Sequence, residues 1–270
     1  MNPIKKAILP VAGLGTRVMP LTLHQPKGMI AIADKPMIHY VVDEMLSAGF
    51  KEIVFILGHN QDVFRNYIEH TNKNQIWNDI KFHFIYQNGP FGNGDAVYAA
   101  KTVMIPGEAF LVAFSDDIFV KKPYPAKQLS DLFRRTGEAA ILLETVPRKK
   151  VDRYGVVKTE PGPAENVLAV TDIVEKPKPS QAPSNLTVVG RYVFTYEIFK
   201  YLEKLYPYQG REIYLTDAIK LFLNDGHKVL GTKLNGFRFD CGSKEGLVQA
   251  QAYFAFHHPQ FKHRVRKLLL

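Results

Sequence analysis

The run KKAILPVAGLGTRVMPLTLHQPKGM, residues 5–29, decides the fold of this chain. Its first part, residues 7–11, is a continuous apolar segment, which predicts a strand that is covered on both faces. Gly13 and Gly15 follow, and glycine lets a backbone adopt positive φ and lets a ligand approach the main chain closely. Because exposed N–H groups in such a turn can hold anionic oxygens, the stretch predicts a buried strand that opens into an anion-binding loop.

Two cations follow this glycine loop within a dozen residues. Arg17 can grip phosphate oxygens through two parallel hydrogen bonds, and Lys27 adds a compact positive charge. The loop is not a dinucleotide-binding fingerprint, because Val18 stands where that pattern has its third glycine, and it lacks the Gly-Lys-Ser/Thr of a Walker loop. A simple tight turn is the alternative for a bare Gly-x-Gly, but the added cations favour a polyphosphate site.

Apolar and amphipathic segments alternate through the first half of the chain. Helices are predicted at 36–49, around 62–69 and at 95–103, and further strands at 53–57, 82–86 and 109–114. Strands that alternate with helices predict right-handed βαβ units. The predicted fold class is therefore α/β: a Rossmann-like mixed, mainly parallel central sheet flanked by helices, with a smaller lobe beside it.

The pattern changes after about residue 139, where strands follow one another with few helices between them. Strands are predicted at 139–146, 155–158, 167–174, 188–195, 228–234 and 237–239, and helices at 196–205, 215–224 and 244–257. We expect this half to add strands to the same sheet. The chain is predicted to be a single domain, 1–270, with one half at about 1–138 and the other at about 139–270.

Composition is typical of a globular protein of a reducing compartment. The chain has 270 residues, of which 46% are hydrophobic and 23% are charged. It contains no run of about 18 apolar residues that would predict a membrane span, and Pro10 interrupts the apolar N-terminal stretch, which makes it a poor signal peptide. Cys241, the single cysteine, excludes an internal disulfide. We therefore expect a cytoplasmic location.

The chain is basic, with a formal charge of +9, but its lysines and arginines are spread along the sequence. The one dense basic run is the tail at 262–267. A solvated tail or a helix end is the ordinary interpretation of that run, and a nucleic-acid or membrane contact is the alternative. Because no helix-turn-helix, finger or aromatic-basic motif is present, we predict no nucleic-acid partner.

The stretch at 11–29 resembles the signature of the sugar-1-phosphate nucleotidyltransferases, and within that family it is most similar to the bacterial UTP–glucose-1-phosphate uridylyltransferases. Further matches follow in the family's order over nearly the whole chain, and as a set they are highly specific. They are Asp34-Lys35-Pro36, Ser115-Asp116-Asp117, Tyr154-Gly155-Val156-Val157, Val174-Glu175-Lys176-Pro177-Lys178, Val188-Val189-Gly190-Arg191-Tyr192-Val193, Leu215-Thr216-Asp217-Ala218-Ile219 and Asp240-Cys241-Gly242.

The resemblance implies an enzyme that joins UTP and α-D-glucose 1-phosphate to give UDP-glucose and pyrophosphate. A sugar phosphate oxygen would attack the α-phosphorus in line with the departing pyrophosphate, and the protein would supply positioning and charge. The family pattern assigns catalytic roles to Arg17, Lys27 and Lys176. It assigns nucleotide contacts to Ala12, Gly13, Gly15, Arg17, Lys27, Gln87 and Gly92.

Gln87 opens the segment at 87–94, directly after the predicted third strand. Its amide offers a donor and an acceptor, which can pair with the edge of a pyrimidine. In the family a glutamine at this point reads uracil or thymine. Outside that context, a glutamine at a strand end is expected to face solvent.

Acidic residues follow two of the predicted strands. Two carboxylates can hold one Mg²⁺, with waters and phosphate oxygens at the other positions, and the resemblance places metal ligands at Asp116 and Asp240. Asp117 would support Asp116 or the substrate. The resemblance also implies a sugar-binding lobe with contacts from Gly155, Glu175, Lys176, Val189 and Gly190. Adjacent acids at a strand end are otherwise turn residues, and an isolated Glu-Lys is otherwise a surface ion pair.

Three features depart from the family pattern. Gly28 stands where an acid is usual, Asp95 stands where a histidine is common, and the region at 59–82 is shorter than its counterparts. Asp95 could instead cap the helix that follows it. These departures keep a glucose-1-phosphate thymidylyltransferase open as an alternative, and a catalytically silent nucleotide-sugar-binding protein is the alternative from another class. We expect a homo-oligomer, either a dimer or a tetramer.

Overall fold

The computed structural model describes residues 4–58, 62–74, 76–77, 79–87, 89, 91–206 and 210–269. Two residues of the segment at 87–94, Asn88 and Pro90, lie outside the described residues. Part of the region at 59–82 and the first three residues of the chain lie outside them as well. The helices are α1 (Met37–Ser47), α2 (Asp62–Lys73), α3 (Asn93–Ala99), α4 (Pro125–Thr136), α5 (Ile198–Glu203), α6 (Leu215–Asn224), α7 (Lys244–His257) and α8 (Lys262–Leu269).

Strands and short 3₁₀ turns complete the secondary structure of the described residues. The 3₁₀ turns are Thr16–Val18, Lys27–Met29, Ala100–Val103 and Arg148–Arg153. The strands are β1 (Lys6–Pro10), β2 (Ala31–Ile32), β3 (Lys35–Pro36), β4 (Glu52–Leu57), β5 (Lys81–Tyr86), β6 (Ala109–Ala113), β7 (Asp117–Val120), β8 (Ala139–Thr145), β9 (Gly155–Pro161), β10 (Val167–Glu175), β11 (Leu186–Thr195), β12 (Val229–Lys233) and β13 (Phe237–Asp240).

One mixed sheet organises the molecule, as the sequence predicted. Its order is β5-β4-β1-β6-β11-β8-β12-β10-β9. The first four strands in this order run parallel to one another, and β12 runs parallel to β8. By contrast, β11 is antiparallel to β6 and β8, and β10 is antiparallel to β12 and β9. The parallel share is thus smaller than the predicted "mainly parallel", because the second half contributes antiparallel strands.

Both faces of the sheet are covered, as the continuous apolar run of β1 predicted. Ala7 and Leu9 pack in a cluster with residues of α1, α2 and α4, and Ile8 packs on the other face with residues of α3, α5 and α6. All three side chains are fully buried. A buried leucine or isoleucine contributes roughly 1.5–3 kcal/mol, so this short strand fixes two helical layers to the sheet.

Beside the sheet, a two-stranded ribbon of β7 and β13 packs against helix α7. Strands β7 and β13 pair antiparallel, with Asp117 opposite Asp240. Their apolar residues pack against α7 in a separate cluster that includes Phe239, Cys241 and Leu247. Because β7 follows β6 after three residues, the ribbon places the end of β13 next to the end of β6.

The predicted helices at 215–224 and 244–257 agree residue for residue with α6 and α7. The basic tail is helical as α8. Sequence reasoning gave no prediction for α4, although Pro125 in its first turn and Gly137 at its left-handed C-cap (φ 75°) are helix boundary signals. In the described part of the chain, none of the helices has the length and apolar character needed to cross a bilayer.

Candidate active site

A cleft of about 540 Å³ lies where β1, β5 and β6 end and the second half of the chain faces them. Ligands of open α/β sheets bind at such carboxyl ends. Val189 does not line the cleft: it is 1% exposed and packs in the core, whereas its strand neighbour Val188 faces the cleft. The other predicted site residues all line it: Ala12, Gly13, Gly15, Arg17, Lys27, Gln87, Gly92, Asp116, Gly155, Glu175, Lys176, Gly190 and Asp240.

Gly13 and Gly15, the glycines of the first loop, have different structural roles. Gly15 has a φ of 66°, and a Cβ there would lie 2.8 Å from Thr22 Cγ2 and 3.0 Å from Lys27 Cβ. The turn therefore needs glycine for both its conformation and its packing. A Cβ at Gly13 would have nothing within 4 Å, so this residue leaves open space on the cleft side.

Lys27 and Arg17 both face Asp116. The Lys27 Nζ donates to Asp116 Oδ2 at 2.7 Å, and Arg17 Nη2 lies 4.0 Å from the same oxygen. Burial opposes ionisation of Asp116, but the positive charge of Lys27 outweighs it and lowers the pKa of this carboxyl. The side chain of Arg17 is 56% exposed, so its guanidinium is accessible from the cleft.

The fold brings Asp116 and Asp240 together. The backbone N–H of Cys241 donates to the carbonyl of Asp116 at 2.8 Å, which ties the end of β13 to the turn after β6. A Cβ built on Gly242 would lie 2.6 Å from Asp116 Oδ2 and 3.0 Å from Asp240 Oδ1, so the two carboxylates flank one small space. Two carboxylate oxygens that converge in this way fit a hard cation such as Mg²⁺.

Asp117 points away from this space. Its Oδ1 accepts from Arg238 Nη1 at 2.6 Å, and it packs against Gly190, where a Cβ would lie 2.1 Å from Oδ2. Burial raises the pKa of Asp117 to about 6, although Arg238 acts in the opposite direction. Gly190, at φ 53°, is thus needed for the room that it leaves to Asp117.

Glu175, the last residue of β10, and Lys176, which follows it, form the opposite wall of the cleft. Thr216 Oγ1 donates to Glu175 Oε2 at 2.9 Å, and Lys176 Nζ lies 3.6 Å from Glu175 Oε1. The lysine also lies over the Tyr214 ring, 4.4 Å from its centroid. Burial raises the pKa of Glu175. Burial opposes the charged form of Lys176, but Glu175 and Tyr214 raise its pKa overall.

Gln87, the first residue of the segment at 87–94, and Asp95, directly after that segment, are hydrogen-bonded to each other. Gln87 Nε2 donates to Asp95 Oδ2 at 2.5 Å, and the hydroxyl of Tyr206 donates to Asp95 Oδ1. Asp95 therefore does not cap α3, which has Gly92 at its N-cap and no side-chain capping bond. Packing within the protein requires glycine at position 92, since a Cβ there would lie 2.4 Å from the carbonyl oxygen of Ile213.

Gly28, the other residue that departs from the family pattern, is buried. A Cβ at this position would lie 3.0 Å from the ring of Phe64 and 3.5 Å from Ser115 Oγ. The phenyl ring therefore occupies the room that a longer side chain would need.

Sequence reasoning gave no site role to several side chains of the cleft, among them Arg153, Tyr214, Thr216 and Arg238. Arg238 is held by Asp117 and Glu144, and its Nη2 lies 3.3 Å from the hydroxyl of Tyr154, which donates to Asp240 Oδ2 at 2.7 Å. A sequence signal exists for Arg238, because residues two apart on a strand face the same side as each other, and Asp240 is two residues on. Thr216 stands in one of the matched motifs, whereas Tyr214 carries no such signal and reaches the site through tertiary contacts.

Comparison with known proteins agrees with this geometry. The family model for nucleotidyl transferase matches residues 6–255. The UTP–glucose-1-phosphate uridylyltransferase of Streptococcus pneumoniae serotype 4 is 36% identical over 290 residues, covering 100% of this chain and 96% of the relative. The UTP-bound UGPase of Acinetobacter baumannii is 34% identical, with a TM-score of 0.86 and 98% of each chain covered. A UDP-glucose pyrophosphorylase complexed with UDP-glucose is 32% identical, with a TM-score of 0.85, 93% of this chain and 98% of that chain covered. The chain therefore belongs to the nucleotidyl transferase family.

Proposed function

We propose that this protein catalyses uridylyl transfer from UTP to α-D-glucose 1-phosphate, giving UDP-glucose and pyrophosphate. The observation that carries the proposal is the convergence of a glycine loop with two cations, a pair of carboxylates and a Glu-Lys wall on one cleft. The names of the relatives support the reaction, because they are uridylyltransferases or pyrophosphorylases of this substrate pair.

In this proposal the first loop holds the nucleotide. Ala12 and Gly13 lie against the base and ribose, where the open space beside Gly13 receives the ligand. Arg17 and Lys27 hold the triphosphate, since guanidinium and ammonium groups are strong donors to phosphate oxygens. Gly15 sets the turn that brings both cations to the same side.

Asp116 and Asp240 would hold a divalent metal ion, and we propose Mg²⁺. When bound, the ion supplies positive charge beside the phosphates and offsets charge that develops as pyrophosphate leaves. Lys27 Nζ lies 2.7 Å from Asp116 Oδ2, so this lysine offsets the charge of one carboxylate in the space where the phosphates would bind.

The opposite wall holds the sugar phosphate. Glu175 accepts hydrogen bonds from sugar hydroxyls, and Lys176 meets the phosphate of the sugar. Gly155 leaves the room for this, because a Cβ there would lie 2.7 Å from Thr216 Cγ2 and 3.4 Å from Glu175 Oε2. Gly190 and Val188 line the same pocket, and Val188 takes the place that the sequence had assigned to Val189.

Catalysis then consists of holding two mutually repelling anions in line. Two unit charges about 4 Å apart interact by about 4 kcal/mol at an effective dielectric near 20. Lys176 on one side and Arg17 with Lys27 on the other offset that repulsion and orient the attacking oxygen towards the α-phosphorus. No covalent intermediate with the protein is required.

A pyrophosphate-release panel tests the proposal. It crosses UTP, dTTP, ATP, CTP and GTP with the 1-phosphates of glucose, galactose and N-acetylglucosamine, each with and without Mg²⁺. We expect the fastest release from UTP with glucose 1-phosphate and a loss of release without the metal. A preference for dTTP would indicate the thymidylyltransferase alternative, and no release from any pair would indicate a silent nucleotide-sugar-binding protein.

The cellular setting and the assembly are part of the same proposal. We propose a cytoplasmic enzyme that works as a dimer or tetramer, in pathways that consume UDP-glucose for polysaccharides. The location is supported by the single cysteine, Cys241, because one cysteine cannot form the internal disulfides that are common in oxidising compartments. Light scattering of the purified protein would decide the assembly, and a monomer at working concentration would contradict it.

A further inference from the structure

The side-chain amide of Gln87 is held in one orientation. Its Nε2 donates to Asp95 Oδ2 at 2.5 Å and lies 3.4 Å from the carbonyl oxygen of Gly92. A carboxylate and a carbonyl accept hydrogen bonds and do not donate them, so a turned amide would place its oxygen against two acceptors. Because Gln87 lines the cleft, Oε1 is the atom of the amide that remains for a ligand.

Asp95 is itself fixed in place. It is 8% exposed, and the hydroxyl of Tyr206 donates to its second oxygen. The first turn of α3, which carries Asp95, is held in place, because Gly94 N donates to the carbonyl of Ile213 at 2.8 Å and Ile213 N donates to the carbonyl of Phe91 at 2.6 Å. The acceptor that orients Gln87 is therefore a built part of the site and not a mobile surface group.

We propose that Asp95 is a positioning residue that sets the choice of nucleobase through Gln87. With Oε1 facing the cleft, the amide accepts from the N3–H of a uracil-type base and meets the N3 acceptor of cytosine unfavourably. Thymine has the same N3–H, so this device selects the uracil-type edge and does not separate UTP from dTTP. The inference rests on the proposed function for the placement of the base beside Gln87.

The substitution Asp95→Asn tests the device at the level of one atom. An asparagine can donate to Gln87 Oε1, so the glutamine amide can turn and present its N–H₂ to the cleft. Asp62→Asn is the matched control, because Asp62 accepts from the hydroxyl of Tyr86 at 2.6 Å but does not line the cleft. Calorimetry on the full chain measures the Kd of UMP and of CMP, without sugar phosphate or metal, and steady-state kinetics measures kcat/KM for UTP and CTP.

We expect the unmodified protein and the Asp62→Asn variant to bind UMP at least about tenfold more tightly than CMP. In Asp95→Asn this preference falls by about tenfold, and kcat/KM for UTP against CTP falls in parallel. A merely structural role would weaken both nucleotides equally. An unchanged preference in a folded Asp95→Asn variant overturns the inference, as does an unmodified protein that binds UMP and CMP alike.

Two further measurements keep the test decisive. If Asp95→Asn does not fold, Tyr206→Phe releases one oxygen of Asp95 and is expected to lower the UMP preference by a smaller factor; an unchanged preference counts against the inference. The unmodified protein should also bind 3-methyl-UMP, which lacks N3–H, at least about tenfold more weakly than UMP, and equal binding overturns the inference. Nucleotide preference without turnover would overturn the proposed function alone.

Discussion

Lys176 combines a strained backbone with a key position in the cleft. Its φ of 43° lies in the left-handed region, which costs a non-glycine residue roughly 1 kcal/mol. The conformation turns the side chain over the Tyr214 ring, with Nζ 3.3 Å from the tyrosine hydroxyl. Strain of this kind persists where the surroundings hold it, and here it holds a cation at the wall of the cleft.

The substitution Lys176→Ala should lower kcat by a factor on the order of 10²–10³, because it removes a cation that meets charge developing in the transition state. Lys200→Ala is the control, since that lysine is exposed and lies outside the cleft. Pyrophosphate release measures kcat, and circular dichroism checks the fold. Near-normal turnover of a folded Lys176→Ala protein would refute the role given to Lys176.

Glu175 is expected to limit activity at acid pH. Burial raises the pKa of Glu175 above its ordinary value of 4.5, so the carboxylate takes up a proton earlier than an exposed glutamate as the pH falls. A raised carboxyl pKa favours the folded state on acidification, so a loss of binding through this group is not a loss of fold. As the pH is lowered, we expect kcat/KM for glucose 1-phosphate to begin to fall while the pH is still above 4.5.

The matched variants separate this effect from others. Glu175→Gln should show lower kcat/KM at neutral pH and a flat acid limb, because the amide does not titrate. Glu203→Gln, at an exposed position outside the cleft, should keep the normal profile. An acid limb that persists in Glu175→Gln would assign the titration to another group.

At the scale of elements, a buried ion pair joins α1, β11 and the turn that carries Asp116. Arg191 is fully buried, and its guanidinium contacts Glu44 Oε2 at 2.7 Å and the carbonyl oxygens of Phe114 and Asp117 at 2.9 and 3.0 Å. The pair thus fixes the backbone on both sides of the proposed metal ligand. A neutral side chain would leave these carbonyls and the carboxylate of Glu44 without their donor.

The substitution Arg191→Met should therefore lower the free energy of unfolding by about 3–5 kcal/mol, because it leaves Glu44 as an unpaired buried charge. Arg65→Met is the control, since that arginine is about half exposed and water screens its ion pair with Glu69, so the loss should be much smaller. Urea denaturation measures both variants. Equal losses in the free energy of unfolding of the two variants would contradict the stabilising role of the buried Arg191–Glu44 pair.

The sequence predicts elements better than it predicts their partners. Local apolar runs located β1, β4, β5 and β6, and periodicity located α6 and α7, since those signals lie within the segment itself. The position of β11 between β6 and β8 depends on contacts far apart along the chain, so no local pattern shows it. Val189 illustrates the same limit within the site: the motif is right, but which strand neighbour faces the cleft is decided by sheet packing.

The hydrogen-bond partners of Asp95 could likewise not be predicted from the sequence, because they meet through tertiary contacts. The hydrogen bond between Gln87 and Asp95 spans only eight residues. The second donor to Asp95, the hydroxyl of Tyr206, lies 111 residues away along the chain. A helix-cap role for Asp95 was the local interpretation, and it is wrong because the carboxylate is drawn to the amide and the hydroxyl instead.

At the scale of the whole molecule, the two predicted halves share one sheet. Strand β11 of the second half pairs antiparallel with β6 of the first, with Val193 opposite Leu111. The cleft likewise takes Arg17 and Lys27 from the first half and Glu175 and Lys176 from the second. Because neither half completes the sheet or the site alone, we expect them to unfold together.

Calorimetric unfolding should therefore show one transition, and UDP-glucose should raise its midpoint as a whole. A ligand at 100 times its Kd adds about 2.7 kcal/mol to the free energy of unfolding. For a chain near this size, 1 kcal/mol corresponds to roughly 2–4 °C, so we expect a rise of about 5–10 °C. Because the ligand bridges both sides of the cleft, it stabilises both halves. Two transitions, of which UDP-glucose shifts one, would instead show halves that fold independently and contradict the single-domain prediction.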